Sequence, residues 1–243
     1  MILRFLQPLI KIMTTIALNL QAVRDRVARA AERSGRSPGD VTLLAVSRTV
    51  PASYIEEAAH AGQKAFGESY AQEGVKKITV LRPKVGALDW HFIGPVQSNK
   101  TRLIAEHFEW VHSVDRERIA ARLNDARPSD LEPLNVCIQV NVSGEDSKSG
   151  VTPGEERRLA EAIAALPRLR LRGLMAIPEP TPDPTLQRAR YALLRELRDG
   201  LVAAGHGIET LSMGMSDDLE AAIAEGATIV RVGAAIFGAR EKI

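Results

Sequence analysis

A chain of 243 residues with 45% hydrophobic and 26% charged residues can bury a full core, which excludes a disordered or low-complexity protein. The formal net charge is only +2, and Lys/Arg are interspersed with Asp/Glu rather than gathered in a basic stripe, which argues against a nucleic-acid-binding surface. The single cysteine, Cys137, rules out an internal disulfide and sits in an apolar run, VCIQV, where a buried inert thiol in a reducing cytoplasm is expected.

Residues 1–12 are apolar in part, but Arg4, Gln7, Pro8 and Lys11 break the run. The run is too short and interrupted for a secretory core or a bilayer span, so these residues are read as an extension and no membrane association is expected. Ile16, Leu20, Val23, Val27 and Ala30 then recur at helical spacing, and Gly35 closes that helix. From there a β-rich run, a polar turn and a helical pattern alternate. Strands are expected at residues 41–47, 65–68, 88–94, 110–114, 135–142, 169–177, 210–215 and 229–238. Pro51 opens the first connecting helix, and Asp115 is the expected cap of the helix carrying Ile119 and Leu123. Ser216 or Asp217 should cap the helix running to Glu225.

Eight strands alternating with eight helical connections predict an α/β fold, a single (β/α)8 TIM barrel with an extra N-terminal helix. An open doubly wound sheet would carry a G-x-G-x-x-G turn after its first strand, and SRTVPAS has no glycine. No linker divides residues 13–243, which are read as one domain.

In such a barrel the residues that finish the strands meet at one mouth. That rule gathers Arg48, Glu68, Ser69, His91, Asn141, Ser212, Ser216 and Arg231. In LSMGMSDD, Gly214 lets backbone approach a ligand and Ser212 or Ser216 offers a hydroxyl. In RVGAAIFG, Gly233 and Ala234 offer amides, so the two segments together suit a phosphate. His91 taken alone reads as a satisfied strand histidine. His60, His107 and His112 lack metal-ligand spacing, and no metal is expected.

Taken in order, AVSRTVP, FGESYAQEGVKK, WHFIGPVQSNK, VNVSGEDSKSG, RGLMAIP, LSMGMSDDLEAAI and RVGAAIFGAR resemble the pyridoxal-phosphate homeostasis protein family, related in fold to the N-terminal barrel of alanine racemases. The resemblance implies a cytoplasmic, monomeric barrel that binds pyridoxal 5'-phosphate and buffers its supply without turnover, with cofactor-free pyridoxal-phosphate enzymes as partners. It implies a pocket made by Arg48, Ser69, His91, Ser212, Met215, Ser216, Arg231, Gly233 and Ala234. Arg231 would face the pyridine nitrogen, where a permanent cation keeps that nitrogen unprotonated and weakens the ring as an electron sink.

Two positions depart from the family pattern. The family reads A-V-S-K-T, its lysine forming the imine with the cofactor aldehyde, and here that residue is Arg48. A guanidinium stays protonated and cannot make that bond, although it can donate hydrogen bonds to an aldehyde or phosphate oxygen, so binding at position 48 is expected to be non-covalent. Ser69 stands where the family has asparagine. Lys148, and after it Lys100, are the remaining amines for covalent capture. The alternatives are a racemase-like enzyme, a phosphate-recognising scaffold, and a merely structural salt bridge at Arg48.

Overall fold

The computed structural model describes residues 14–144 and 149–238, so the extension at residues 1–12 and Lys148 lie outside the described residues. The strands β1 (Thr42–Val46), β2 (Ala65–Glu68), β3 (Asp89–Phe92), β4 (Trp110–Val114), β5 (Leu134–Gln139), β6 (Leu169–Met175), β7 (Thr210–Ser212) and β8 (Ile229–Val232) pair in parallel and in chain order. The barrel closes where β8 meets β1, in the register Leu43↔Val230, Leu44↔Arg231 and Ala45↔Val232. This is the expected (β/α)8 barrel.

The helices are α1 (Thr15–Arg33), α2 (Ala52–His60), α3 (Ala71–Val85), α4 (Thr101–His107), α5 (Glu117–Ala126), α6 (Glu156–Ala164), α7 (Pro184–Ala203), α8 (Leu219–Ala224) and the one-turn α9 (Ala234–Phe237). The extra N-terminal helix has a structural task. α9 is too short to cover the β8–β1 seam, and α1 packs against α2, α8 and α9, completing the outer ring there. Its apolar stripe of Ile16, Leu20, Val23 and Val27 is buried as the spacing predicted. Arg26 anchors it through hydrogen bonds to Glu220 and, at 2.6 Å, to the Ser216 carbonyl, which ties α1 to the start of α8.

Strand alternation divides the apolar side chains between two cores. Ala45, Phe66, Phe92 and Val230 face the helices and join one large cluster, whereas Leu44, Ala65 and Ile229 form a small separate cluster with Ile93. One consequence corrects the sequence reading: Glu68 shares the outward face of β2 with Phe66 and turns to α3, away from the mouth. It bonds Lys77, and an added Cβ at Gly74 would lie 3.2 Å from its own Cβ.

Three local expectations fail at strand-to-helix junctions. Asp115 does not cap α5; it pairs with Arg116 at 2.9 Å, and the extended Arg116 precedes the helix with no side-chain cap. Neither Ser216 nor Asp217 caps α8. Asp218 precedes it, and its carboxylate is taken by the Met215 amide at 2.6 Å and the Tyr191 hydroxyl at 2.7 Å. The last strand stops at Val232, because Gly233 turns the chain into α9.

Candidate functional site

The nine predicted site residues fall into two tiers. His91, Ser212 and Arg231 lie inside the barrel and are buried. One of their hydrogen bonds crosses between strands that are not neighbours, which is possible only through the interior: His112 Nδ1 to Ser212 Oγ joins β4 to β7 at 2.8 Å. Arg48, Ser69, Met215, Ser216, Gly233 and Ala234 are half-buried or exposed and form the rim.

The inner tier is a hydrogen-bonded chain. Arg231 Nη1 donates to Ser212 Oγ at 2.8 Å and Nη2 donates to the Ala176 carbonyl at 2.8 Å. Ser212 Oγ, which accepts from Arg231, also shares a hydrogen with His112 Nδ1 at 2.8 Å, and His112 Nε2 shares one with His91 Nδ1 at 2.8 Å. The two imidazole bonds run in one common direction, because the single ring hydrogen of a neutral His112 serves one of its two nitrogens. Burial pushes the His91 pKa down to about 3, and burial beside His91 and Arg231 holds that of His112 well below the ordinary value. His91 also stacks on Trp110, ring centres 5.2 Å apart. Burial lowers the Arg231 pKa, yet a guanidinium keeps its proton at neutral pH. The barrel interior thus holds a cation that, among the described residues, has no ion-pair partner.

At the rim, Arg48 continues the inward face of β1 beyond Leu44 and Val46. Among the described residues its guanidinium has neither a hydrogen bond nor an ion pair, and its one aromatic neighbour is Tyr70, 5.9 Å from the ring centre. Among the described residues no salt bridge accounts for Arg48. Ser69 follows β2 on the adjacent strand, pressed by the end of β3: a Cβ on Gly94 would lie 2.2 Å from the Ser69 carbonyl oxygen.

Across the β1–β8 seam, Gly233 and Ala234 continue from Val232, the partner of Ala45. The amides of Gly233, Ala234 and Ala235 have no acceptor among the described residues, nor does the Ser216 hydroxyl have a partner. Gly214 at φ +90 packs its α-carbon onto α8, where an added Cβ would meet the Ala222 Cβ at 2.5 Å. The sequence left Ser212 and Ser216 as equal candidates for an anion. The geometry separates them, since Ser212 is engaged with Arg231 and His112 while Ser216 remains open.

Sequence reasoning passed over four residues. His112 lacks metal-ligand spacing, although its place two residues after Trp110 puts it on the inward face of β4. Glu73 and Lys77, four apart on α3, are a legible helix pair. Their hydrogen bonds to the backbone around Arg48 are tertiary. Tyr70 gave no signal. Among the described residues no group of His, Cys, Asp or Glu could hold a metal. Cys137 is buried and its pKa is pushed up to about 12 by desolvation, which fits an inert thiol.

Open amides, a free hydroxyl and two cations around one barrel mouth suit a phosphorylated ligand with a polar ring. Fold and site define a single-barrel protein of the alanine racemase N-terminal domain type, and that family's pattern matches residues 18–241. The pyridoxal phosphate homeostasis protein of Pseudomonas aeruginosa is 59% identical over 229 residues, 94% of this chain and 97% of that one. Its Escherichia coli counterpart is 58% identical over 230 residues, 94% and 98% of the two chains. The chain belongs to the pyridoxal phosphate homeostasis protein family. PipY of Synechococcus elongatus, solved with pyridoxal phosphate bound, superposes with a TM-score of 0.80 at 35% identity, over 92% of this chain and 100% of that one. Alanine racemase of Corynebacterium glutamicum shares the fold, with a TM-score of 0.66 at 18% identity over 92% of this chain and 60% of that one.

Proposed function

We propose that this chain is a reversible carrier of pyridoxal 5'-phosphate in cofactor homeostasis, holding it without a covalent bond at position 48. The observation that carries the reading is the Arg48 guanidinium just past β1, which among the described residues has no ion pair or hydrogen bond, set across the seam from the Gly233 and Ala234 amides, which have no acceptor among those residues. Arg48 stands where the family pattern has lysine, so the rim offers a permanent hydrogen-bond donor in place of an amine. Gly233, Ala234 and Ser216 hold the phosphate, with Met215 and Ser69 lining the ring. Arg231, oriented by Ser212 and His112, faces the pyridine nitrogen. When bound, the cofactor supplies an aldehyde and an electron-accepting ring.

No turnover is proposed. Arg48 has no amine to condense with the aldehyde, and the two interior imidazoles are buried and bonded to each other, so neither is poised as a base. The relatives' names, which describe homeostasis, support this reading over a racemase. Delivery to cofactor-free enzymes, a monomeric state and a cytoplasmic location complete the proposal. Among the described residues no helix is long and apolar enough to cross a membrane.

The test is an absorbance titration with pyridoxal 5'-phosphate, followed by borohydride reduction and mass mapping. The parent should bind in competition with inorganic phosphate and yield no adduct at residue 48. Arg48→Lys should acquire a covalent adduct at that residue. An Arg48→Lys protein that binds the cofactor but never reacts at position 48 would place the ligand elsewhere and refute the assignment.

A further inference from the structure

Behind the rim, on the opposite face of β1, an ion cluster grips the backbone on both sides of Arg48. Lys77 Nζ donates to the Ser47 carbonyl at 2.6 Å, to Glu68 Oε1 at 2.8 Å and to Glu73 Oε1 at 2.5 Å, which uses all three of its hydrogens. Ser47 Oγ also donates to Glu68 Oε1, at 2.6 Å. On the far side of Arg48, the Thr49 amide donates to the same Glu73 Oε1 at 2.6 Å. Thr49 has φ +63, and among the described residues it is the one non-glycine residue with positive φ. A β-branched residue rarely adopts that conformation, which disfavours a non-glycine residue by about 5- to 30-fold in population.

We infer that Glu73 and Lys77, backed by Glu68, are positioning residues that clamp the Ser47–Thr49 backbone and thereby hold Arg48 in the barrel mouth. They touch no ligand; they act through the chain. Glu73 receives the Thr49 amide in the left-handed turn, and Lys77 carries that carboxylate and the Ser47 carbonyl on one ammonium. Without Glu73 the turn relaxes toward ordinary conformers that swing residue 48 off the rim. Apparent affinity then falls in proportion to the competent fraction that remains. The inference rests on the proposed cofactor reading for its affinity arm alone.

The experiment uses the full chain with Glu73→Ala, Thr49→Gly and the two combined. Glu73 is partly exposed and its removal leaves Lys77 with Glu68 and the Ser47 carbonyl, so the fold should survive. Affinity for pyridoxal 5'-phosphate is measured by titration, inorganic phosphate is the competitor, and hydrogen exchange at residue 49 is followed by NMR. Glu73→Ala should weaken cofactor binding by about 5- to 30-fold and speed exchange of the Thr49 amide, while the competition constant of inorganic phosphate stays within about 2-fold. Thr49→Gly alone should stay near the parent, and adding it to Glu73→Ala should recover most of the affinity, because glycine enters the left-handed region without penalty. A general loss of structure would not be rescued by glycine. Unchanged Thr49 exchange in Glu73→Ala overturns the clamp, as does a double variant no tighter than Glu73→Ala. If the parent binds no pyridoxal 5'-phosphate, the reading of the site fails and the exchange arm alone decides the clamp.

Discussion

Replacing Lys77 by methionine isolates the buried ion cluster behind the mouth. The side chains of Lys77 and Glu68 are 8% and 0% exposed, and methionine keeps most of the lysine stem's volume, so the loss is electrostatic. Glu68 would keep only the Ser47 hydroxyl on Oε1, and its Oε2 is already buried without a hydrogen-bond partner. Removing one member of a buried pair costs about 3–5 kcal/mol. The low end applies here, because burial already raises the Glu68 pKa and the stranded carboxyl can take up a proton, while Glu73 turns to water. A loss of about 3 kcal/mol lowers the melting temperature of a chain this size by roughly 6–12 °C.

The pH dependence follows from the same shift. A carboxyl whose folded pKa is raised contributes stability that is present at low pH and lost as the pH rises through the folded value. Without Lys77 that pKa rises further, so the deficit against the parent should be widest at pH 7.5 and shrink toward pH 5. Urea unfolding at the two pH values measures it, and adding Glu68→Gln to Lys77→Met should recover part of the loss. A deficit below about 1 kcal/mol at pH 7.5, or one equal at both pH values, would refute the buried-pair argument.

The neutral tautomers of His91 and His112 predict imidazole NMR resonances that stay flat between pH 5.5 and 8; an inflection near pH 6 would mean that the chain carries a proton at the wrong place. Because their folded pKa values are depressed, the stability they contribute is present above about 6.5 and is lost progressively as the pH falls from there, toward about 3 for His91. The slope is up to about 1.4 kcal/mol per pH unit for each ring. Gly214→Ala combines φ +90 with a Cβ placed 2.5 Å from that of Ala222, so it should cost about 2–3 kcal/mol in urea unfolding and weaken phosphate competition; a change below about 0.5 kcal/mol would mean that α8 is not seated on that glycine.

Much of this protein is legible along the chain. Strand positions and the buried stripe of α1 follow from side-chain periodicity, which registers burial on one face of each element. Rim residues such as Arg48 and Ser216 follow from the rule that barrel strands end at one mouth. Boundaries were less legible. The strand predicted through residue 238 stops at Val232, where Gly233 turns the chain; Asp115 pairs with its neighbour Arg116; and Asp218 rather than Asp217 precedes α8, held in part by the distant Tyr191.

The sequence by itself determined the barrel, the family and the chemical character of position 48, since each is carried by local residue type and spacing. Tertiary structure alone decided what those residues face. It turned Glu68 outward to Lys77, drew His112 into the chain that orients Arg231, and separated Ser212 from Ser216. The physical reason is that a hydrogen-bond partner is set by closure of the eight-stranded sheet. Closure brings together groups such as His112 and Ser212, a hundred residues apart, and no local pattern encodes that meeting.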